Sequence, residues 1–169
     1  MGNRTARTRF LDTVGNGTGT KNANVDGSVT PVEFKLVTVA NEPWEIWRLL
    51  VFVRDTLAFS AEDYGNINGP LTNGISICTV DADGEIMVDL CDGVEVVSNA
   101  DWSRLNYDVA PLDFGSGDNY LVVRWSFNKM GEPLHLKNGE SLVITVNDDL
   151  TGLVEHRFGI QGVELGYRP

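Results

Sequence analysis

The sequence predicts an all-β domain, an antiparallel two-sheet sandwich with a jelly-roll-like order and about eight strands. Short segments rich in β-branched and aromatic residues alternate apolar and polar side chains, and no helical period extends beyond one turn. Frequent reversals of the chain are indicated by 18 glycines and by Asn-rich turns. An immunoglobulin-like sandwich is the alternative, but no tryptophan lies between Cys78 and Cys91, so its usual framework is missing.

Residues 44–55 form the predicted centre of this fold. From Ile46 to Val53 only Arg48 is charged, and apolar side chains occupy both the odd and the even positions. Successive residues of a strand point to opposite faces. We therefore expect a strand that is covered on both sides, by a second sheet on one face and by a partner surface on the other.

The remaining elements follow from shorter patterns. The dipeptide Asp83-Gly84 predicts a hairpin, because both residues tolerate positive φ, and Lys137-Asn-Gly-Glu predicts a second turn of this type. A single helical turn at 99–105 and a long irregular loop at 56–74 complete the elements. The predicted strands are 32–39, 45–54, 75–80, 85–90, 94–97, 120–127, 141–147 and 153–162.

The charge distribution excludes some classes of partner. The net charge is −11, and the segment from Asp81 to Asp118 contains ten acidic residues but only one base, Arg104. Such a surface repels phosphate backbones, so we expect no nucleic-acid ligand. No apolar run approaches the roughly 18 residues of a membrane span, so we expect no membrane partner.

Residues 1–30 differ from the rest, because arginines are followed by a Gly-rich stretch that cannot bury enough apolar area to order itself. We predict an extended N-terminal arm at 1–30 and a β-sandwich domain at 31–169. An ordinary solvated tail and an arm that docks onto an acidic neighbouring subunit are both compatible with this composition. Removing residues 1–11 should then leave the melting temperature nearly unchanged. The docking residues would be Arg4, Arg7, Arg9, Phe10 and Leu11.

The sequence does not favour an enzyme or a cofactor. Only His135 and His156 could act as a general base, and His156 lies in the apolar phase of the last predicted strand, which favours a core histidine. The acids near Asp81 and Asp148 could bind calcium, but turn-capping carboxylates are the preferred interpretation, so we predict no metal. For Cys78 and Cys91 we favour free thiols, and a disulfide stays open.

A further set of segments is considered together, namely 10–13, 15–19, 46–55, 64–65, 71–75, 99–102, 117–127 and 147–158. These segments resemble small virion structural proteins of tailed bacteriophages. The resemblance implies a non-enzymatic capsid decoration (cement) protein that binds the major capsid protein or another virion subunit through its arm. It also implies a location in the virion after assembly in the host cytoplasm, and a homo-oligomer, with a trimer favoured. A tail, neck or fibre-associated position is the alternative.

A rival hypothesis belongs to a different class. A jelly-roll module could bind a glycan through the loop at 56–74, with an exposed tyrosine that stacks on the sugar. The residues of this possible binding loop would be Tyr64, Asn66 and Asn68.

Overall fold

The computed structural model describes residues 6–17, 19, 25–39, 42–60, 63–67, 69–93, 95–98, 101, 108–113, 117–127 and 131–166, with the backbone alone at 108–113. The described residues contain ten strands: β1 (Arg7–Phe10), β2 (Val32–Val37), β3 (Trp44–Asp55), β4 (Ile75–Val80), β5 (Ile86–Asp89), β6 (Asp108–Asp113), β7 (Asn119–Ser126), β8 (Leu134–Leu136), β9 (Ser141–Val146) and β10 (Glu155–Glu164). A search of this part of the chain finds no helix with the length and apolar character needed to cross a membrane.

The strands form two antiparallel sheets, which confirms the predicted two-sheet sandwich. One sheet has six strands in the order β1-β10-β3-β7-β6, with β8 also paired to β3, and the other has four in the order β2-β9-β4-β5. The pairings are nested, since β1 pairs with β10, β2 with β9, β3 with β7 and β4 with β5. Among the described residues, each of these pairs therefore lies, in chain order, inside the pair before it.

The core lies between the two sheets and is built from the inward-facing phase of each strand. Apolar side chains such as Val51, Ile77, Ile144 and Ile160 are fully buried there. β3 pairs with β7, β8 and β10, so the segment predicted as the centre is central in the six-stranded sheet.

Most predicted strands are confirmed within one to two residues at each end, and the hairpin at Asp83-Gly84 joins β4 to β5. The strand predicted at 94–97 is wrong, because its described residues contain only an isolated bridge from Val96 to Ile75. Three strands were not predicted, namely β1, β6 and β8. The predicted helical turn at 99–105 lies outside the described residues except for Asp101.

The structure corrects the prediction for the N-terminal segment. β1 pairs with β10 along its length, Leu11 is 0% exposed, and the Leu11 backbone N donates to the Phe158 carbonyl at 2.7 Å. The next residues pair with β2, where Lys35 N donates to the Asp12 carbonyl at 2.9 Å. The expectation that the segment lies apart from the sandwich is therefore wrong for residues 7–12. The amino-acid composition describes only the segment itself. The segment makes its hydrogen bonds and buried contacts with β2 and β10, which are distant in sequence, so its composition did not reveal them.

Candidate docking surface

The two faces of β3 have different surroundings. Its inward residues Leu49, Val51 and Val53 are buried against the second sheet. Its other face carries Leu50 and Phe52, which are only half-buried. The second sheet covers the inward face of β3, as predicted, whereas the cover of Leu50 and Phe52 by a partner surface stays a prediction.

The strand register shows which side chains share this other face. Residues directly opposite in an antiparallel pair project to the same side. Leu50 lies between Arg124 of β7 and Gly159 of β10, and Phe52 lies between Val122 and Arg157. We call this the outer face of the six-stranded sheet. Its residues include Phe10, Arg48, Leu50, Phe52, Arg54, Tyr120, Val122, Arg124, Glu155 and Arg157. By the same register, Ser126 and Gln161 lie opposite Arg48, and Asp108 of β6 lies opposite Arg124.

Aromatic contacts stiffen the apolar part of the outer face. The rings of Phe52 and Tyr120 lie 5.4 Å apart in a tilted arrangement. At the β1 side, the Arg157 guanidinium lies 5.3 Å from the centre of the Phe10 ring, and the same ring covers Gly159. Cation–π and aromatic pairs of this kind hold half-exposed side chains in fixed positions. These side chains therefore contact one another within the single chain.

Ion pairs order one end of the outer face. The Glu155 carboxylate lies between two guanidinium groups, 3.2 Å from Nε of Arg54 and 2.8 Å from Nε of Arg157. Arg54 also reaches Asp118 at 3.3 Å, and the Glu155 side chain is only 8% exposed. Arg48 and Arg124, by contrast, are exposed to solvent. These two cations remain accessible to a partner.

A shallow cleft of about 300 Å³ adjoins this face and is lined by residues of β1, β10 and β3. The register between β3 and β10 shifts between Gln161 and Gly162, so that no residue of β10 lies directly opposite Trp47. Such a β-bulge bends the strand locally. The cleft is lined by Ala6, Arg7, Thr8, Trp47, Arg48 and Gln161. Its two guanidinium groups and one indole ring suit a carboxylate-bearing or aromatic side chain from another protein.

The predicted docking residues are separated by the structure. Arg7, Arg9 and Phe10 lie on the edge strand β1, with Arg7 in an exposed ion pair to Glu164 at 3.3 Å. Leu11 lies in the core and cannot reach a partner in this fold. Arg4 lies outside the described residues. That the N-terminal segment contacts another subunit stays a prediction.

The predicted glycan-binding loop has a different role in the structure. Tyr64 is 1% exposed and packs in the core, with its ring edge-on to Phe59, so it is not available to stack on a sugar. Asn66 donates to the buried Asp55 carboxylate through its backbone N at 2.5 Å and through its side-chain amide. A Cβ on Gly65 would lie 2.2 Å from Asp55 Oδ2, so this turn requires glycine. Asn68 lies outside the described residues.

The remaining candidate chemical groups serve the fold. His156 is a core residue, as the sequence predicted, and burial lowers its pKa to about 4. The Asp148 carboxylate accepts backbone N–H groups of Thr72, Asn73 and Gly74 at 2.5 to 3.0 Å. No group of three potential metal ligands is found in the described residues. Both cysteines are free thiols, and burial raises the pKa of Cys91 to about 11, so it is a poor nucleophile.

Comparisons with known proteins give no match, either to a family model, to a curated protein or to a solved structure.

The outer face could be predicted only in part from the sequence. The even positions of β3 showed its apolar part, but the pairing of Arg124 and Arg157 with these residues depends on the register between strands distant in sequence.

Proposed function

We propose that this chain is a non-enzymatic structural subunit of a tailed-bacteriophage particle, and specifically a capsid decoration (cement) protein. It binds the major capsid protein or another virion subunit, and it is located in the virion after assembly in the host cytoplasm. The observation that supports this proposal is the outer face, a surface of arginine, aromatic and aliphatic side chains on one side of the six-stranded sheet.

The composition of the outer face is typical of a protein interface. Aromatic residues and arginine are enriched at the centre of interfaces, and lysine is depleted. The cations of this face are all arginines, although the chain also contains lysines. On a chain of net charge −11, a cationic patch also orients an acidic partner during encounter.

The order of the strands also supports the proposal. We infer a jelly roll, because β1-β10-β3-β7 and β2-β9-β4-β5 is the order that a nested hairpin of eight strands adopts when it rolls into two sheets. β6 and β8 are then additions to the first sheet. Jelly rolls are common in viral capsid proteins, although lectins also use them.

The rival functions differ in what the surface offers them. A glycan-binding module needs an exposed aromatic ring in the 56–74 loop, and the buried Tyr64 does not supply one. A tail, neck or fibre-associated position would use the same outer face, and it is the alternative within the same class of function.

The test has two parts, the presence of the chain in the particle and the role of the outer face. Mass spectrometry of purified particles from the phage that encodes the sequence should find the chain in many copies. Particles stripped of the chain should rebind the wild-type protein in a sedimentation assay. The Arg48→Glu/Arg124→Glu variant should bind at least about tenfold more weakly, because two exposed cations are reversed.

The matched control is Lys35→Glu/Lys137→Glu, which makes the same change in net charge outside the outer face. This control should bind like the wild-type chain. Absence of the chain from purified particles would overturn the proposed function. Equal binding by the arginine variant and the control would overturn the assignment of the outer face as the docking surface.

A further inference from the structure

β5 is an exposed apolar strand at the edge of the four-stranded sheet. In the described part of the chain it pairs only with β4. Its side chains contribute little to the core, since Ile86, Met87 and Val88 are 67%, 47% and 45% exposed. An edge strand of this kind presents unpaired backbone groups and apolar side chains to any strand that can align with it.

The charge around β5 restricts which strand can align. The hairpin and its continuation carry five acids and no base between residues 81 and 93. A second copy of β5 placed against the first would bring these like charges together, which is unfavourable for direct neighbours in a sheet. A basic strand, by contrast, would form favourable opposite-charge pairs with these acids. The five acids are Asp81, Asp83, Glu85, Asp89 and Asp92.

β1 has the complementary properties. It lies at the edge of the six-stranded sheet, and among the described residues it pairs only with β10. It carries Arg7 and Arg9, with no acid from residue 6 to residue 11. Like β5 it is four residues long, so the two strands match in length as well as in charge.

We propose that β5 of one copy pairs with β1 of a second copy, which joins the four-stranded sheet of one subunit to the six-stranded sheet of the next. An antiparallel register that sets Arg7 opposite Asp89 also sets Phe10 opposite Ile86, so charged and apolar pairs form together. The occupant of each edge is thus this chain itself. The contact does not depend on the proposed function, because both edges belong to the isolated protein.

The contact is heterologous, since two different edges meet. A subunit engaged through β5 still offers its β1, so the assembly either closes into a ring or continues. A closed ring would provide the homo-oligomer that the sequence led us to expect. The contact uses Phe10 at the β1 margin of the outer face, whereas Arg48, Phe52 and Arg124 lie on β3 and β7 and stay accessible to the particle.

Two variants that each disable one edge test this contact. Arg7→Glu/Arg9→Glu reverses the charge of β1, and Ile86→Lys/Val88→Lys adds positive charge to β5 at exposed positions. By light scattering after size exclusion, the wild-type chain should be oligomeric and each variant alone monomeric. A mixture of the two variants should assemble, because the intact β5 of the first variant can pair with the intact β1 of the second.

The control Val29→Lys/Leu57→Lys changes two exposed apolar residues outside both edges and should assemble like the wild-type chain. A monomeric wild-type chain at about 100 μM would overturn the proposal, as would oligomers of either variant alone or a mixture that stays monomeric. Circular dichroism checks that each variant is folded. If the arginine reversal unfolds the chain, Ile86→Lys/Val88→Lys alone keeps the proposal testable, because this variant should be monomeric where the wild-type chain is oligomeric.

Discussion

Leu49 and Leu50 are neighbours in the sequence but lie on different surfaces of the molecule. Leu49 is 1% exposed and faces the second sheet, and its neighbours within its own sheet are Trp125 of β7 and Ile160 of β10. Leu50 is half-buried on the outer face, between Arg124 and Gly159. The same residue type thus stabilises the fold on one side of β3 and remains available for recognition on the other. Apolar character alone does not tell which role a side chain has.

The core between the sheets extends to Leu11 near the N-terminus. Deleting residues 1–11 removes the buried Leu11 and leaves β10 without its neighbour β1. Loss of a buried leucine alone costs about 2 to 5 kcal/mol, so we expect the deletion to lower the free energy of unfolding by more than about 4 kcal/mol. Urea denaturation measures this change. An unchanged midpoint, as composition alone predicted, would show that β1 is not part of the cooperative fold.

A matched pair of substitutions tests the difference between the two faces of β3. Leu49→Ala should lower the free energy of unfolding by about 2 to 5 kcal/mol, because it leaves a cavity between the sheets. Leu50→Ala should cost only about 1 kcal/mol in the isolated chain, since its side chain is already half in contact with water. Equal losses in urea denaturation would mean that both faces are covered, as the sequence suggested.

A smaller effect concerns a polar group on the inner face. His156 is 1% exposed between the rings of Phe34 and Phe158, and neither of its ring nitrogens has a hydrogen-bond partner among the described residues. Burial lowers its pKa from 6.5 to about 4, and the nearby Glu155 opposes this shift only in part. The unfolded chain therefore binds a proton between these two pH values while the folded chain does not. Stability should fall as the pH drops through this window, by about 3 kcal/mol in total.

This pH dependence is measured by urea denaturation at pH 7 and at pH 4.5. The His156→Leu variant is the control, because it keeps every carboxylate and removes only the imidazole. The wild-type chain should lose more stability than the variant over this interval. Identical losses would show that His156 is protonated at similar pH in the folded and unfolded chains.

Local sequence signals predicted the strands whose determinants lie close together in the chain. Asp83-Gly84 fixes the β4–β5 hairpin, and the alternation around Ile144 fixes β9. The missed strands depend on partners far away in sequence. β1 looks like a basic tail until β10 pairs with it, β6 contains Pro111, which is tolerated on an edge strand, and β8 has only three residues.

The outer face could likewise be predicted only in part. Arg48, Leu50 and Phe52 were visible as the even phase of one strand, but the arginines and aromatics beside them come from β7 and β10. The failure at Tyr64 has a specific cause. The buried Asp55 carboxylate binds Asn66, and this contact holds the loop so that the tyrosine points into the core. A loop rich in Asn and Gly does not reveal such a contact from its composition.

We propose that the outer face of the six-stranded sheet docks this subunit onto a particle. The most direct measurement is a cryo-electron microscopy map of the intact particle that contains the chain. We expect the side chains of Arg48, Phe52 and Arg124 to be in contact with a neighbouring polypeptide. A map in which the outer face is open to solvent and the subunit is held by another surface would contradict the claim.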